Sequence, residues 1–199
     1  MRKAGIIIIL ALIMCLPVLS AQDGNAPSIE TDWDDFHYDL YAPGDQTFII
    51  SLGITTPMAF IGGDKSKISP SIGGAGSLIF NYYLTSKIFI GAEATGLFLS
   101  TVGNNTLFVI PVGARIGTQF IWGNFEFPVA CALGISWRRY LNFGYVGLYT
   151  KVTGSAFYRL TNGWSFGLTS NLYWLPEFRA ENSVNGIFMD FTLSARYHF

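Results

Sequence analysis

Charge is scarce in this chain: 13% of its 199 residues are Asp, Glu, Lys or Arg, and the formal net charge is −1. With no basic surplus there is no field to hold phosphates, so nucleic acid is not an expected partner. The 50% hydrophobic content removes a disordered polypeptide. Histidine is scarcer still, with His37 and His198 alone, and cysteine stops at Cys15 and Cys131. A single cysteine in the body forms no intramolecular disulfide. Two histidines, one in an acidic stretch and one beside the last residue, build neither a hydrolase constellation nor a metal cluster. The expectation is therefore no enzyme, no cofactor and no metal. Past the first 21 residues, no apolar run reaches the roughly 20 residues of a transmembrane helix.

What is present begins with an address. Arg2 and Lys3 precede an apolar run from Ile6 to Leu16, then Pro17 and small or aliphatic residues to Ala21, the pattern of a secretory signal peptide over 1–21. Cys15 follows Met14, which is not the small residue that lipidation requires. Residues 22–46 form an acidic segment, with Asp23, Glu30, Asp32, Asp34, Asp35, Asp39 and Asp45 and no Lys or Arg. Trp33, Phe36, Tyr38, Leu40 and Tyr41 stand among those acids. Such a segment either folds as an amphipathic piece under the body, binds a partner, or stays mobile. From Thr47 the balance reverses to ten Lys and Arg against six Asp and Glu.

The body, 47–199, reads with a period of two. In the first of eight segments, Phe48, Ile50, Leu52 and Ile54 alternate with Thr47, Ile49, Ser51 and Thr55, until Thr56-Pro57 interrupts. The fifth alternates from Phe125 to Trp137 against Glu126, Ala130, Ala132, Ser136 and Arg138. The last alternates from Ile187 to Phe199 against Phe188, Asp190, Thr192, Ser194, Arg196 and His198. Export, alternation and a continuously apolar outer face predict an all-β protein, an antiparallel up-and-down transmembrane barrel of eight strands in a bacterial outer membrane. A soluble sandwich would carry polar residues on that face. An even strand number puts both termini in the periplasm. Aromatics then sort into a periplasmic girdle (Phe48, Tyr82, Phe120, Phe127, Tyr158, Trp164, Phe199) and an outer one (Phe98, Phe108, Trp137, Tyr145, Trp174).

Eight strands enclose a lumen that side chains nearly fill. The alternation aims Glu93, Glu126 and Asp190 inward with Arg115, Arg138, Lys151, Arg159 and Arg196, and charges withdrawn from water need such partners. The set is either a structural plug or a gate on a solute path. Leu97, Leu99, Tyr149, Tyr173, Leu175 and Phe188 point inward near the outer end, as either an apolar vestibule for small hydrophobic solutes or packing at the mouth. Pro111 removes a ladder hydrogen bond and breaks the wall, as a bulge or as a lateral exit; Pro128 poses the same question. Outer loops fall around 65–69, 139–144 and 176–185, where a surface-interaction or antigen barrel would make its contacts.

Several short stretches resemble the OmpW-type eight-stranded outer-membrane proteins, within the OmpA-like group. Thr85 to Glu93 is similar to that family's turn into its third strand, Ile110-Pro111 to a Leu-Pro-Pro segment, and Phe127 to Gly134 to its fifth strand. Tyr158 to Trp164 resembles the next periplasmic turn, and Ala195 to Phe199 the Gly-Tyr-Arg-Phe ending. The resemblance implies a passive channel for small hydrophobic molecules with lateral release into the membrane, embedded in outer-membrane lipid. It also implies that the terminal strand ending at Phe199 is read by the barrel-assembly machinery.

Overall fold

The computed structural model describes residues 41–61, 70–101, 105–140, 143–176 and 185–199. The expectations for the signal sequence, His37 and the tips of the outer loops lie outside these residues. Eight antiparallel strands follow in chain order: β1 (Gln46–Ile61), β2 (Pro70–Tyr83), β3 (Ile88–Thr101), β4 (Asn105–Trp122), β5 (Phe125–Tyr140), β6 (Phe143–Arg159), β7 (Trp164–Leu175) and β8 (Asn185–His198). Each pairs with its sequence neighbour, and β8 pairs back onto β1 from Thr47↔His198 to Ile61↔Asn185, so the sheet is a closed barrel. Closure leaves no strand edge, which is what a sheet needs where no water is available to its backbone.

Alternation decides the two faces. Leu193 is 72% and Leu52 68% exposed on the outside, whereas Thr47, Glu126 and Arg196 inside are 0% exposed. Ile54, Leu78, Leu133, Ile135, Leu148 and Leu168 continue the outer belt. A surface of this kind is solvated by hydrocarbon, the reverse of a soluble domain. Strands of 12 residues (β7) to 18 residues (β4) exceed the roughly 9–11 that cross a bilayer core. The longest strands are β4 and β6, with 18 and 17 residues.

At the end that carries Gln46 and His198, here the terminal end, connections are short: Leu84–Lys87, Gly123–Asn124 and Leu160–Gly163. Gly123 takes φ +58° in the two-residue turn between the paired Trp122 and Phe125, a conformation a side chain resists. The opposite end is the loop end. The barrel's compact unit begins at Asp39 and takes in Tyr41 to Asp45, which the sequence assigned to the acidic segment before the barrel.

Three corrections concern the wall. Strand β1 does not end at Pro57 but continues to Ile61, absorbing the proline through a register shift against β8 between Pro57 and Ala59. No bulge forms at Pro111: its pairing with Ser136 of β5 is intact, and the β3–β4 register is the same above and below it. The β3–β4 ladder instead lapses opposite Thr95 and Gly96, because the missing N–H is the one that would face β3. Pro128 does the same toward β6, where pairing skips from Glu126↔Phe157 to Val129↔Gly154. Tyr145 does not join the outer girdle. It shares parity with the inward Tyr149, and its ring lies beneath the Arg138 guanidinium, 5.5 Å from centroid to Cζ.

Candidate functional site

The lumen is filled in three levels. At the terminal end, Glu126 anchors the first: Arg159 Nε lies 2.8 Å from its Oε1, and Arg196 Nη2 and the Tyr41 hydroxyl (2.7 Å) both donate to its Oε2. Tyr41 stacks on Tyr83 with centroids 4.2 Å apart, and Tyr83 donates to Gln119 Oε1 at 2.7 Å. Burial is the main cause that holds the Tyr41 phenol well above its ordinary pKa, against the pull of Arg196, so the hydroxyl stays protonated and donates. A carboxylate with two guanidiniums and a phenol on it is the arrangement that makes a buried charge tolerable.

His198 completes this level. Its Nε2 is 2.7 Å from Ser165 Oγ, and its Nδ1 is 3.2 Å from Arg159 Nη2 and 3.1 Å from the Tyr41 hydroxyl. Guanidinium nitrogens can only donate, so Nδ1 accepts and Nε2 carries the proton toward Ser165. A general base must take a proton from serine, and this polarity runs the other way.

The middle level centres on Glu93. Lys151 Nζ lies 2.7 Å from its Oε1, Arg115 Nη1 3.7 Å from its Oε2, and the Tyr149 hydroxyl donates to Oε1 at 3.1 Å. Asp190 is satisfied by neutral donors, Asn171 Nδ2 at 2.6 Å and the Tyr173 hydroxyl at 2.8 Å. Below them, hydroxyls run along the inner wall as a chain from β1 through β8 and β7 to β6: Ser51 to Ser194 at 2.7 Å, Ser194 to Thr169 at 2.9 Å, and Thr169 to Ser155 at 3.0 Å. At the loop end Arg138 donates to the carbonyls of Leu148, Leu175 and Pro176 and to Ser136 Oγ.

Toward the loop end, the six residues read as a vestibule form a packed layer. Leu97, Leu99, Tyr149 and Tyr173 are 0% exposed, Leu175 1% and Phe188 3%, joined by Ala75, Val109 and Ala132. Tyr149 fits because β4 and β5 offer glycines beneath it: a Cβ on Gly113 would meet its hydroxyl at 2.6 Å, and one on Gly134 its Cε1 at 2.8 Å. Sequence reasoning brought Glu126, Arg159 and Arg196 inward, and Glu93, Arg115 and Lys151 with them. Parity also turned Ser165, Asn171 and His198 inward, but not the partners they find there. Tyr41 was read only as one of the aromatics of the acidic segment, for which folding under the body was one alternative; it precedes the first strand and has no parity to read.

This filled, closed, eight-stranded wall is the fold of small outer-membrane barrels. It is similar to Neisserial surface protein A, with a TM-score of 0.60 and 10% identity over 78% of this chain and 97% of that one. It is also similar to the outer membrane protein OprG from Pseudomonas aeruginosa, with a TM-score of 0.55 and 12% identity over 81% of this chain and 98% of that one. At these identities the likeness is one of fold. A protein-family model matches residues 25–197, and the chain belongs to the family that it describes. An uncharacterized protein of Treponema pallidum (strain Nichols) is 25% identical over 142 residues. That match takes in 65% of this chain and spans 65% of the relative, just under two thirds of its length.

Proposed function

We propose that this protein is an outer-membrane barrel closed along its axis, non-enzymatic, acting as a structural or surface-presenting element rather than as a conduit. The carrying observation is the apolar layer of Leu97, Leu99, Tyr149, Tyr173 and Leu175, all at most 1% exposed, above the Glu93 ion pairs. A dry layer over a paired charge cluster leaves no file of water for an ion to follow. The signal-like residues 1–21, the exposed apolar belt and the barrel fold support placement in the outer membrane. The alternating outer face of β8, with Phe191, Leu193 and Tyr197, and Phe199 directly after it, supports recognition by the assembly machinery. On this topology the terminal end faces the periplasm and the loop end the exterior.

The test is a planar bilayer and a liposome assay on the refolded protein. The expected result is no current and no uptake of an apolar fluorescent solute above protein-free membrane. Unitary currents overturn the reading.

One observation favours a second reading, OmpW-like passage of small apolar molecules with lateral release. The β3–β4 ladder lapses at Pro111 beside the apolar layer that begins at Leu97 and Val109. That reading requires solute uptake in the same liposomes and its reduction in Pro111→Ala, which restores the N–H toward β3.

A further inference from the structure

The floor of the lumen is closed by a residue that is not part of the wall. Tyr41 lies in the non-strand segment before β1, held by a turn in which Asp45 N–H donates to Ala42 O at 3.1 Å and Ala42 N–H to Asp45 Oδ2 at 2.8 Å. Gly44 takes φ +101° there and donates to Tyr83 O at 2.9 Å. From this short arm the ring reaches into the mouth, with Arg159 Cζ 5.0 Å and Arg196 Cζ 6.0 Å from its centroid.

Without the ring, the same space is bounded by two guanidiniums and one carboxylate. Two buried donors at this level lack an acceptor among the described residues, Arg196 Nε and Gln119 Nε2, on side chains 0% and 1% exposed. Orphaned buried donors are rare, and these two, beside two guanidiniums that share the single carboxylate of Glu126, call for an acceptor that carries negative charge; the other carboxylate nearby, Asp45, already accepts from Ala42 N–H. A pocket of about 150 Å³ already opens beside Tyr41, lined by Arg159, His198, Asn162, Gln46, Asp45 and Phe199.

We propose that Tyr41 is a removable latch over an anion site at the terminal end of the barrel. When the arm swings out, a small oxyanion of phosphate or carboxylate type takes the place of the ring between Arg159, Arg196 and Gln119. This goes beyond the closed-barrel reading and does not need a path through the lumen, because the apolar layer at the loop end stays in place. Bilayer current therefore tests that reading, and access to the floor tests this one.

The experiment places a thiol on the floor as Ser165→Cys in the full chain with Cys15→Ser and Cys131→Ser. Labelling is followed with two methanethiosulfonates of similar size, the anionic sulfonatoethyl and the cationic trimethylammonioethyl reagents. With Tyr41 present the thiol is protected. In Tyr41→Ala it labels at least about tenfold faster, the anionic reagent leads the cationic one by about tenfold, the scale of electrostatic focusing in a charged cleft, and inorganic phosphate slows both. Tyr41→Phe, which keeps the stack and both cation contacts, labels within a few-fold of the parent, roughly the effect of one lost hydrogen bond. If Tyr41→Ala does not refold, Tyr41→Leu serves in its place. A folded barrel whose thiol stays protected without Tyr41 overturns the proposal, as does one that prefers the cationic reagent or ignores phosphate.

Discussion

The terminal end of the lumen is sealed by charge: two guanidiniums and a phenol converge on the Glu126 carboxylate, and the His198 imidazole meets the phenol and one of the guanidiniums. The loop end is sealed by apolar bulk, with Leu97, Leu99, Leu175 and Phe188 around Tyr149 and Tyr173. The two chemistries fail differently. An apolar layer loses stability in proportion to the volume removed, whereas a buried charge cluster keeps its desolvation cost when one partner goes, so its loss is abrupt. A barrel of eight strands has room for both because each needs only one turn of inward residues around the wall.

The largest expected effect is at the charged end. Glu126→Ala leaves Arg196 buried without its carboxylate and should cost about 3–5 kcal/mol, read from urea unfolding of the refolded barrel in lipid vesicles. A loss no greater than that of an apolar truncation would mean that aromatic stacking, not charge, closes this end. At the other end, Leu97→Ala should cost about 3 kcal/mol by the same measurement. A much smaller loss would show that the layer collapses onto the gap, and the contrast between the ends would narrow.

The outer surface supplies a reference for both. Leu133, exposed on β5 near its middle, should tolerate apolar exchange, but Leu133→Arg should cost roughly 2 kcal/mol in vesicles and far less in detergent micelles. Equal costs in the two media would argue that this face does not meet hydrocarbon. The smallest effect belongs to the hydroxyl chain between the two ends: Ser51→Ala removes its 2.7 Å contact with Ser194, which retains Thr169 as a partner, and should cost about 1 kcal/mol or less.

Much of this was legible because a strand has only two faces. Once Phe125 to Trp137 is read as outward, Glu126 and Arg138 are inward with no further information, and closure brings them into one lumen. Parity says nothing of partners, which is why Asp190 was assigned to cations when Asn171 and Tyr173 satisfy it. Nor does it say whether inward apolar residues leave a void. Whether Tyr149 fills the layer depends on the space at Gly113 and Gly134, on strands it is not part of. The prolines were legible as lost hydrogen bonds, but the response was not: Pro57 shifts register, while Pro111 and Pro128 leave it unchanged. Tyr41 could be read only as part of a segment able to fold under the body, because no periodic pattern extends to it to say what its ring meets.

The seam between β1 and β8 has a consequence for how the molecule comes to exist. Ser51 and Ser194 meet across it although 143 residues separate them, and Tyr41 and His198 are 157 apart. Contacts of such range are the slowest to form, since most of the chain must already be ordered before they repay the entropy of bringing their ends together. Seven strands can grow by adding neighbours, but Glu126 acquires Arg196 only when the eighth arrives. Until that moment Glu126 has, among the described residues, Arg159 of β6 as its one cation on the concave side, and closure of the sheet completes the cluster in a single step at the end.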